Sequence, residues 1–231
     1  NAYKITSSQS CGFYACHVLN ATQAFDITYT TFGGPTTNCY VDSCTTEGSQ
    51  NHSGTVHPGT YANVITNNKF LSCWKNGFGN RGRATIISNN RIEGGKNTDG
   101  AMTSGISIYG GWARDCVVTN NSVTGFKNGL VLLDAEDTQA RFGWVGIVIQ
   151  GNLFIRNGIS VNLDRAPANN AAPEAGIQVL DNVIQTRGTC GIRVANWIVG
   201  TKISGNIING GGSTPTGIKL EADSNHTTLT D

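Results

Sequence analysis

Two acidic stretches stand out in a 231-residue chain in which only 13% of residues are charged. The first begins Asp134-Ala135-Glu136-Asp137 and runs to Trp144; the second begins Asp164-Arg165 and runs to Glu174-Ala175. Paired carboxylates are the machinery of glycosidic cleavage, one protonating the leaving oxygen while the other acts as nucleophile or activates water. Tryptophan faces cover the apolar side of a pyranose, and Trp112, Trp144 and Trp197 fall near these acids once the repeats described below are aligned. Asp134 and Asp164, with Glu136 and Asp137, are therefore candidate acids and bases. Trp112, Trp144, Trp197, Tyr109, Arg141 and Arg165 are candidate sugar contacts. The plainer alternative is a set of solvated loop acids pairing with Arg141 and Arg165.

A second constellation lies upstream, in the stretch His52 to Tyr61 followed by Gly79-Asn80-Arg81-Gly82-Arg83. His57 and Arg81 are 24 residues apart, about one repeat. They could face one groove as a base and a carboxylate clamp for eliminative cleavage of a uronic acid. His52 and His57 also suggest a metal, but no third ligand is fixed nearby and no metal is expected. Gly77-Phe78-Gly79-Asn80-Arg81-Gly82 formally matches a dinucleotide-binding fingerprint, yet Ala84-Thr85-Ile86-Ile87 continues as a strand where that motif needs a helix, so no cofactor is expected.

The balance of 16 Lys+Arg against 15 Asp+Glu gives a net charge of +1. That leaves no electrostatic reason for a nucleic acid or an anionic membrane as partner. No apolar run approaches the ~18 residues a membrane span needs, and the first residues do not form a signal peptide. Seven cysteines, an odd number without zinc-finger spacing, read as mostly free thiols packed as small hydrophobes. Such usage favours assembly in a reducing compartment.

What positions these residues is a repeat. Two or three β-formers, a polar-Asn pair and then further apolar residues recur at Val64-Ile65-Thr66-Asn67-Asn68, Ile86-Ile87-Ser88-Asn89-Asn90 and Val117-Val118-Thr119-Asn120-Asn121. The phrase continues around Asn152, Asn182 and Asn206, with spacings of 22, 31, 31, 30 and 24. Between these phrases lies a second one, Gly followed by alternating apolar residues, as in Gly105-Ile106-Ser107-Ile108 and Gly129-Leu130-Val131-Leu132. Each phrase is a short period-2 strand. Units this short share a core only by stacking, and nothing reads as a crossover helix. The chain is therefore expected to be all-β, a right-handed parallel β-helix of about seven coils and 30 to 35 Å length at ~4.8 Å per coil. The turn Asn is expected to tolerate left-handed φ and to bond its counterpart in the next coil. Cys11 and Cys16 recur 28 residues on as Cys39 and Cys44, which stacks them as thiol pairs. Residues 1–231 are read as one β-helix domain, a fragment of a longer chain.

With its repeats aligned, the chain resembles the pectate-lyase-like right-handed β-helix superfamily. The stretch His57-Pro58-Gly59-Thr60-Tyr61 through Asn68, then Gly77 to Gly82, looks more narrowly like bacteriophage tailspike and tail-fibre depolymerases. That resemblance implies a homotrimer, assembled in a host cytoplasm, that sits in a virion tail with other tail proteins, or works outside the cell. It also implies a bacterial polysaccharide partner, O-antigen or capsule, that is bound and cleaved by an endo-acting hydrolase. The alternatives are a lyase or epimerase using His57 and Arg81, and a non-catalytic structural or receptor-binding rod. No calcium-binding aspartate cluster of pectate lyases is matched.

Overall fold

The computed structural model describes residues 1–29, 34–95, 103–109, 113–133, 145–164, 176–195, 198, 200–211, 215–222, 224 and 227–230. Among them there are only strands, arranged in three long parallel sheets. The first sheet has nine strands, from Tyr3–Thr6 to Thr216–Leu220; the second has nine, from Gly12–Tyr14 to Thr228–Thr230; the third has eight, from His17–Leu19 to Ile207–Gly210. One coil visits the second, third and first sheets in turn, as in Val117–Thr119, Ser122–Thr124 and Asn128–Leu133. Eight such triplets stack, close to the expected seven.

Stacking is in register, so equivalent residues form columns. Val41, Ile65, Ile87, Val118, Ile149, Val179 and Ile203 make one inward column of the second sheet. Phe70, Ile92, Val123, Phe154 and Ile184 make the facing column of the third, and all of these are buried. β-Branched residues suit this surface because their stiff side chains pack well on a pleat.

The corner between second and third sheets carries the Asn phrase, with its two tasks divided between neighbours. The first residue of each pair takes the left-handed conformation: Asn67 (φ 56), Asn89 (φ 55), Asn120 (φ 55), Gly151 (φ 65), Asp181 (φ 53) and Gly205 (φ 64). The second residue builds the ladder. The Nδ2 groups of Asn68, Asn90, Asn121, Asn152 and Asn182 donate to Oδ1 of the next Asn up at 2.9 to 3.0 Å. Each Oδ1 from Asn90 to Asn206 also accepts the backbone N–H of the Asn below. Each Nδ2 makes a second bond to a carbonyl one coil down, as Asn121 does to Ile87 at 2.9 Å. From Asn90 to Asn182 both amide hydrogens and both carbonyl lone pairs are thus used in a buried corner, the arrangement in which a buried amide costs least.

All seven cysteines are free. Cys11 stacks with Cys39 and Cys16 with Cys44, the Cys16 N–H lying 3.4 Å from Cys44 Sγ. Burial pushes the Cys44 thiol up to about 11.

The ladder yields a direct prediction. Asn121→Leu strands two donors of Asn90 and is expected to cost about 2 to 5 kcal/mol in urea unfolding, whereas Asn120→Gly, at the left-handed position, is expected to be neutral or mildly stabilising.

Candidate functional site

The outward face of the first sheet gathers the chemistry. Register places Asp26, Thr55, Gly79, Ser107, Val131, Asn162, Arg193 and Lys219 in one column. Beside it, Thr28, His57, Arg81, Tyr109, Leu133, Asp164, Ala195 and Glu221 form a second, fixed by backbone bonds such as Arg81 N–H to Val56 at 2.8 Å and Asp164 N–H to Leu132 at 3.0 Å. The apolar Val131 and Leu133 divide this face into an upstream and a downstream cluster.

In the upstream cluster Asp26 is only 4% exposed. Its Oδ2 accepts a hydrogen bond from Asn1 Nδ2 at 2.8 Å. No donor is aligned on Oδ1, whose partner is His57 Nε2 in an ionic contact of 2.9 Å. The carboxylate thereby orients the ring and leaves Nδ1, on a side chain one-third exposed, as the nitrogen free to meet a substrate. Thr60 Oγ1 donates to the His57 carbonyl at 2.8 Å and holds the loop that follows.

Arg81 is His57's neighbour on the next coil, as the 24-residue spacing implied. Its placement depends on Asn80, a buried amide in an otherwise aliphatic inward column. Asn80 Oδ1 accepts the Gly82 N–H at 3.0 Å and closes a tight turn that throws Arg81 outward. The Arg81 guanidinium lies 4.5 Å from the centroid of the Tyr109 ring, one coil further on, and that of Arg83 lies 5.7 Å from the Tyr61 ring. Among the described residues neither arginine has a carboxylate within ion-pair distance.

His52 completes the cluster. Asn76 Oδ1 accepts the Ser104 N–H at 3.2 Å, so its amide nitrogen must be what faces His52 Nε2 at 3.1 Å. Nε2 is then an acceptor, and the ring is the neutral Nδ1–H tautomer. Burial, reinforced by the charges of Arg81, His57 and Lys75, pushes His52 down to about 4.

The downstream cluster centres on Arg193. It bonds Glu221 through Nε (2.9 Å) and Nη2 (3.0 Å), and Asp164 (3.0 Å) and Asn162 (3.1 Å) through Nη1. Lys219 Nζ adds a 3.1 Å contact to Glu221. The bidentate bond from Arg193 holds the Glu221 carboxyl below its ordinary value. Of the candidates named from sequence, the structure therefore brings together His57, Arg81 and Tyr109, and sets Asp164 apart from them. Asp134, Glu136, Asp137, Trp112, Trp144, Trp197, Arg141 and Arg165 lie outside the described residues. Sequence reasoning missed Asp26 and Arg193. The available signal was a charged residue at an outward strand position, as in Phe25-Asp26-Ile27 and Ile192-Arg193-Val194.

No protein-family model matches the chain, and no curated protein matches it. Solved structures do. The A-module of the mannuronan C-5 epimerase AlgE4 of Azotobacter vinelandii superposes with a TM-score of 0.69 at 14% identity, covering 99% of this chain and 73% of that one. The Streptococcus pneumoniae surface adhesin PfbA gives 0.65 at 14% identity, covering 99% and 68%. DFA-IIIase of Arthrobacter chlorophenolicus A6 gives 0.51 at 14% identity, covering 90% and 63%. The chain has the right-handed parallel β-helix fold. At these identities the likeness is one of fold, and this β-helix spans roughly two thirds to three quarters of those structures.

The depressed His52 sets a pH dependence. A histidine that titrates near 4 folded and 6.5 unfolded favours the folded state above pH 6.5, and that advantage is lost as pH falls from 6.5 towards 4. Between pH 7 and pH 4.5 the loss attributable to His52 is about 2 to 3 kcal/mol. His52→Gln, which can still accept from Asn76, is expected to flatten urea midpoints over that window.

Proposed function

We propose that the protein binds an anionic polysaccharide along the outward face of its first sheet and modifies it by abstracting a proton beside a uronate carboxylate. The observation that carries this reading is the pair of half-buried guanidiniums, Arg81 and Arg83, laid on tyrosine rings with no carboxylate within ion-pair distance among the described residues. In a protein with so few charges, two cations held in this way suit a ligand that brings carboxylates of its own.

In such a complex Arg81 takes the carboxylate and spreads the charge that develops when the C5 proton leaves. His57 Nδ1 receives that proton, and Asp26 at Nε2 stabilises the imidazolium as it forms. The carbanion then has two outcomes. In elimination the C4–O4 bond breaks, its electron pair goes to the leaving oxygen, a C4=C5 double bond forms and the Tyr109 hydroxyl protonates O4. In epimerisation a proton returns to C5 from the opposite face. One fold neighbour, named a mannuronan C-5 epimerase, supports this class of polymer.

A second reading is favoured by the downstream cluster. Asp164 and Glu221 occupy one column two coils apart, about 9.6 Å between Cα atoms, near the range of inverting hydrolases. On that reading the chain is a tailspike-like O-antigen or capsule depolymerase, a virion homotrimer. The ion pairs to Arg193 count against it, since they occupy both carboxylates.

The test is incubation with uronate polymers, following both ultraviolet absorbance of the C4=C5 product and epimer composition by NMR. His57→Ala is expected to lower the rate by at least ~100-fold and Arg81→Ala to abolish binding of the acidic polymer, while Asp164→Asn and Glu221→Gln leave the rate within a few-fold. New reducing ends without absorbance, lost in Asp164→Asn, would establish the hydrolase instead.

A further inference from the structure

Four of the seven cysteines fall on two adjacent coils, and core packing does not explain them. Cys73, Cys116 and Cys190 are buried and fill space as small hydrophobes. Cys11 is exposed and Cys16 half-buried, yet each lies directly beneath a buried cysteine, Cys39 or Cys44. The Tyr40 N–H bonds the Cys11 carbonyl at 3.0 Å and the Thr45 N–H bonds the Cys16 carbonyl at 2.8 Å, which holds both pairs in register. At a strand spacing of ~4.8 Å the Cα atoms of each pair fall within the roughly 4.4 to 6.8 Å that a disulfide spans. Side-chain geometry follows the asparagine ladder. The Cys44 N–H donates to Asn68 Oδ1 at 2.9 Å, and its thiol reaches the Phe13 carbonyl at 3.6 Å as Asn68 Nδ2 reaches the Val41 carbonyl. The Cys16 N–H in turn meets Cys44 Sγ at 3.4 Å. Cys39 repeats the arrangement over Cys11, its N–H donating to Asn63 Oδ1 at 3.1 Å and its thiol reaching down to the Ser8 carbonyl at 3.7 Å. Each buried sulfur thus leans towards the coil that carries its exposed partner.

We infer that Cys11–Cys39 and Cys16–Cys44 are sites of oxidative cross-linking, two disulfides that staple the first coil to the second at both ends of strand Gly12–Tyr14. The exposed member starts each reaction: its thiolate attacks an external disulfide such as oxidised glutathione and expels one glutathione thiolate. The thiolate of the buried partner then attacks the protein sulfur of that mixed disulfide and expels the second. Two glutathione thiols leave with the two cysteine protons, so the external disulfide is reduced as the pair is oxidised. Burial holds Cys39 and Cys44 above the ordinary thiol value, which makes them the second to react. The staples act where the candidate site needs support. The first coil carries Asp26 and the second carries His57, and the 2.9 Å contact between them crosses the same seam. Among the described residues, Gly12–Tyr14 and His17–Leu19 pair on one side only, with this second coil. The amide-to-amide bonds of the ladder start at Asn68, so thiols stand at the seam where amides would otherwise meet. The inference is independent of the polysaccharide reading.

The test incubates the parent chain with reduced or with oxidised glutathione, quenches with acid, and follows thiol alkylation in denaturant, peptide mapping and hydrogen exchange. After oxidation, three of the seven thiols are expected to remain free, with the Cys11 peptide linked to that of Cys39 and the Cys16 peptide to that of Cys44. The amides of Gln23–Thr28, on the coil that carries Asp26, are expected to exchange at least ~10-fold more slowly than in the reduced chain. Cys11→Ser and Cys16→Ser, changes at the accessible member of each pair, should each lose one link and keep the other. Seven thiols still free, glutathione adducts that persist on Cys11 and Cys16, or links between Cys11 and Cys16 or between two chains would overturn the staple. So would formation of one bond alone, or exchange that is unchanged or faster once both have formed.

Discussion

The asparagine ladder is the interaction on which the rest of this structure depends. A parallel solenoid has no long-range device to fix one coil over the next except its own register, and a slip of one residue would turn every inward side chain outward. From Asn90 to Asn182 the buried amides remove that freedom, since each carbonyl must meet two donors from the coil below and each amide group must meet the coils on both sides. The geometry is satisfied in a single alignment. An amide displaced by one position would leave buried donors and acceptors unpaired at a cost of kilocalories per corner.

Register is also what makes a site out of residues scattered through the chain. His57, Arg81 and Tyr109 come from three successive coils, and Asp26 from the coil before them, yet all stand within one patch because the strands that carry them pair residue for residue. The rigid sheet supplies the positioning, and local devices refine it. Asn80 sacrifices a place in the aliphatic core to shape the turn at Arg81, and Asn76 fixes the neutral tautomer of His52. Both polar intrusions lie beside the candidate site, and local rules are most often broken where chemistry is done.

Much of this was legible in the sequence. The Asn phrases and Gly-apolar phrases announce the strands and the parallel solenoid, and the 24-residue interval between His57 and Arg81 correctly brings them to adjacent coils. The turn chemistry was only half legible. A single Asn seemed able to take the left-handed φ and build the ladder, whereas Asn67, Asn89, Asp181 and the turn glycines take the backbone role and their successors the ladder role. Asp26 escaped notice because coil length varies, which hides that its strand brings it beside His57 one coil on. Asp164 is a different lesson: sequence offers it as an acid awaiting a partner acid, but the structure gives it Arg193, from a strand 29 residues away, and ties both to Glu221.

The central claim is that this groove removes the proton from C5 of a uronate with His57 as the base. The most direct measurement uses a uronate polymer labelled with tritium at C5 and follows label appearing in water. Elimination and epimerisation both release it, so the account predicts release by the parent protein and a loss of at least ~100-fold in His57→Ala. New reducing ends formed with the label fully retained, or release undiminished in His57→Ala, would contradict it.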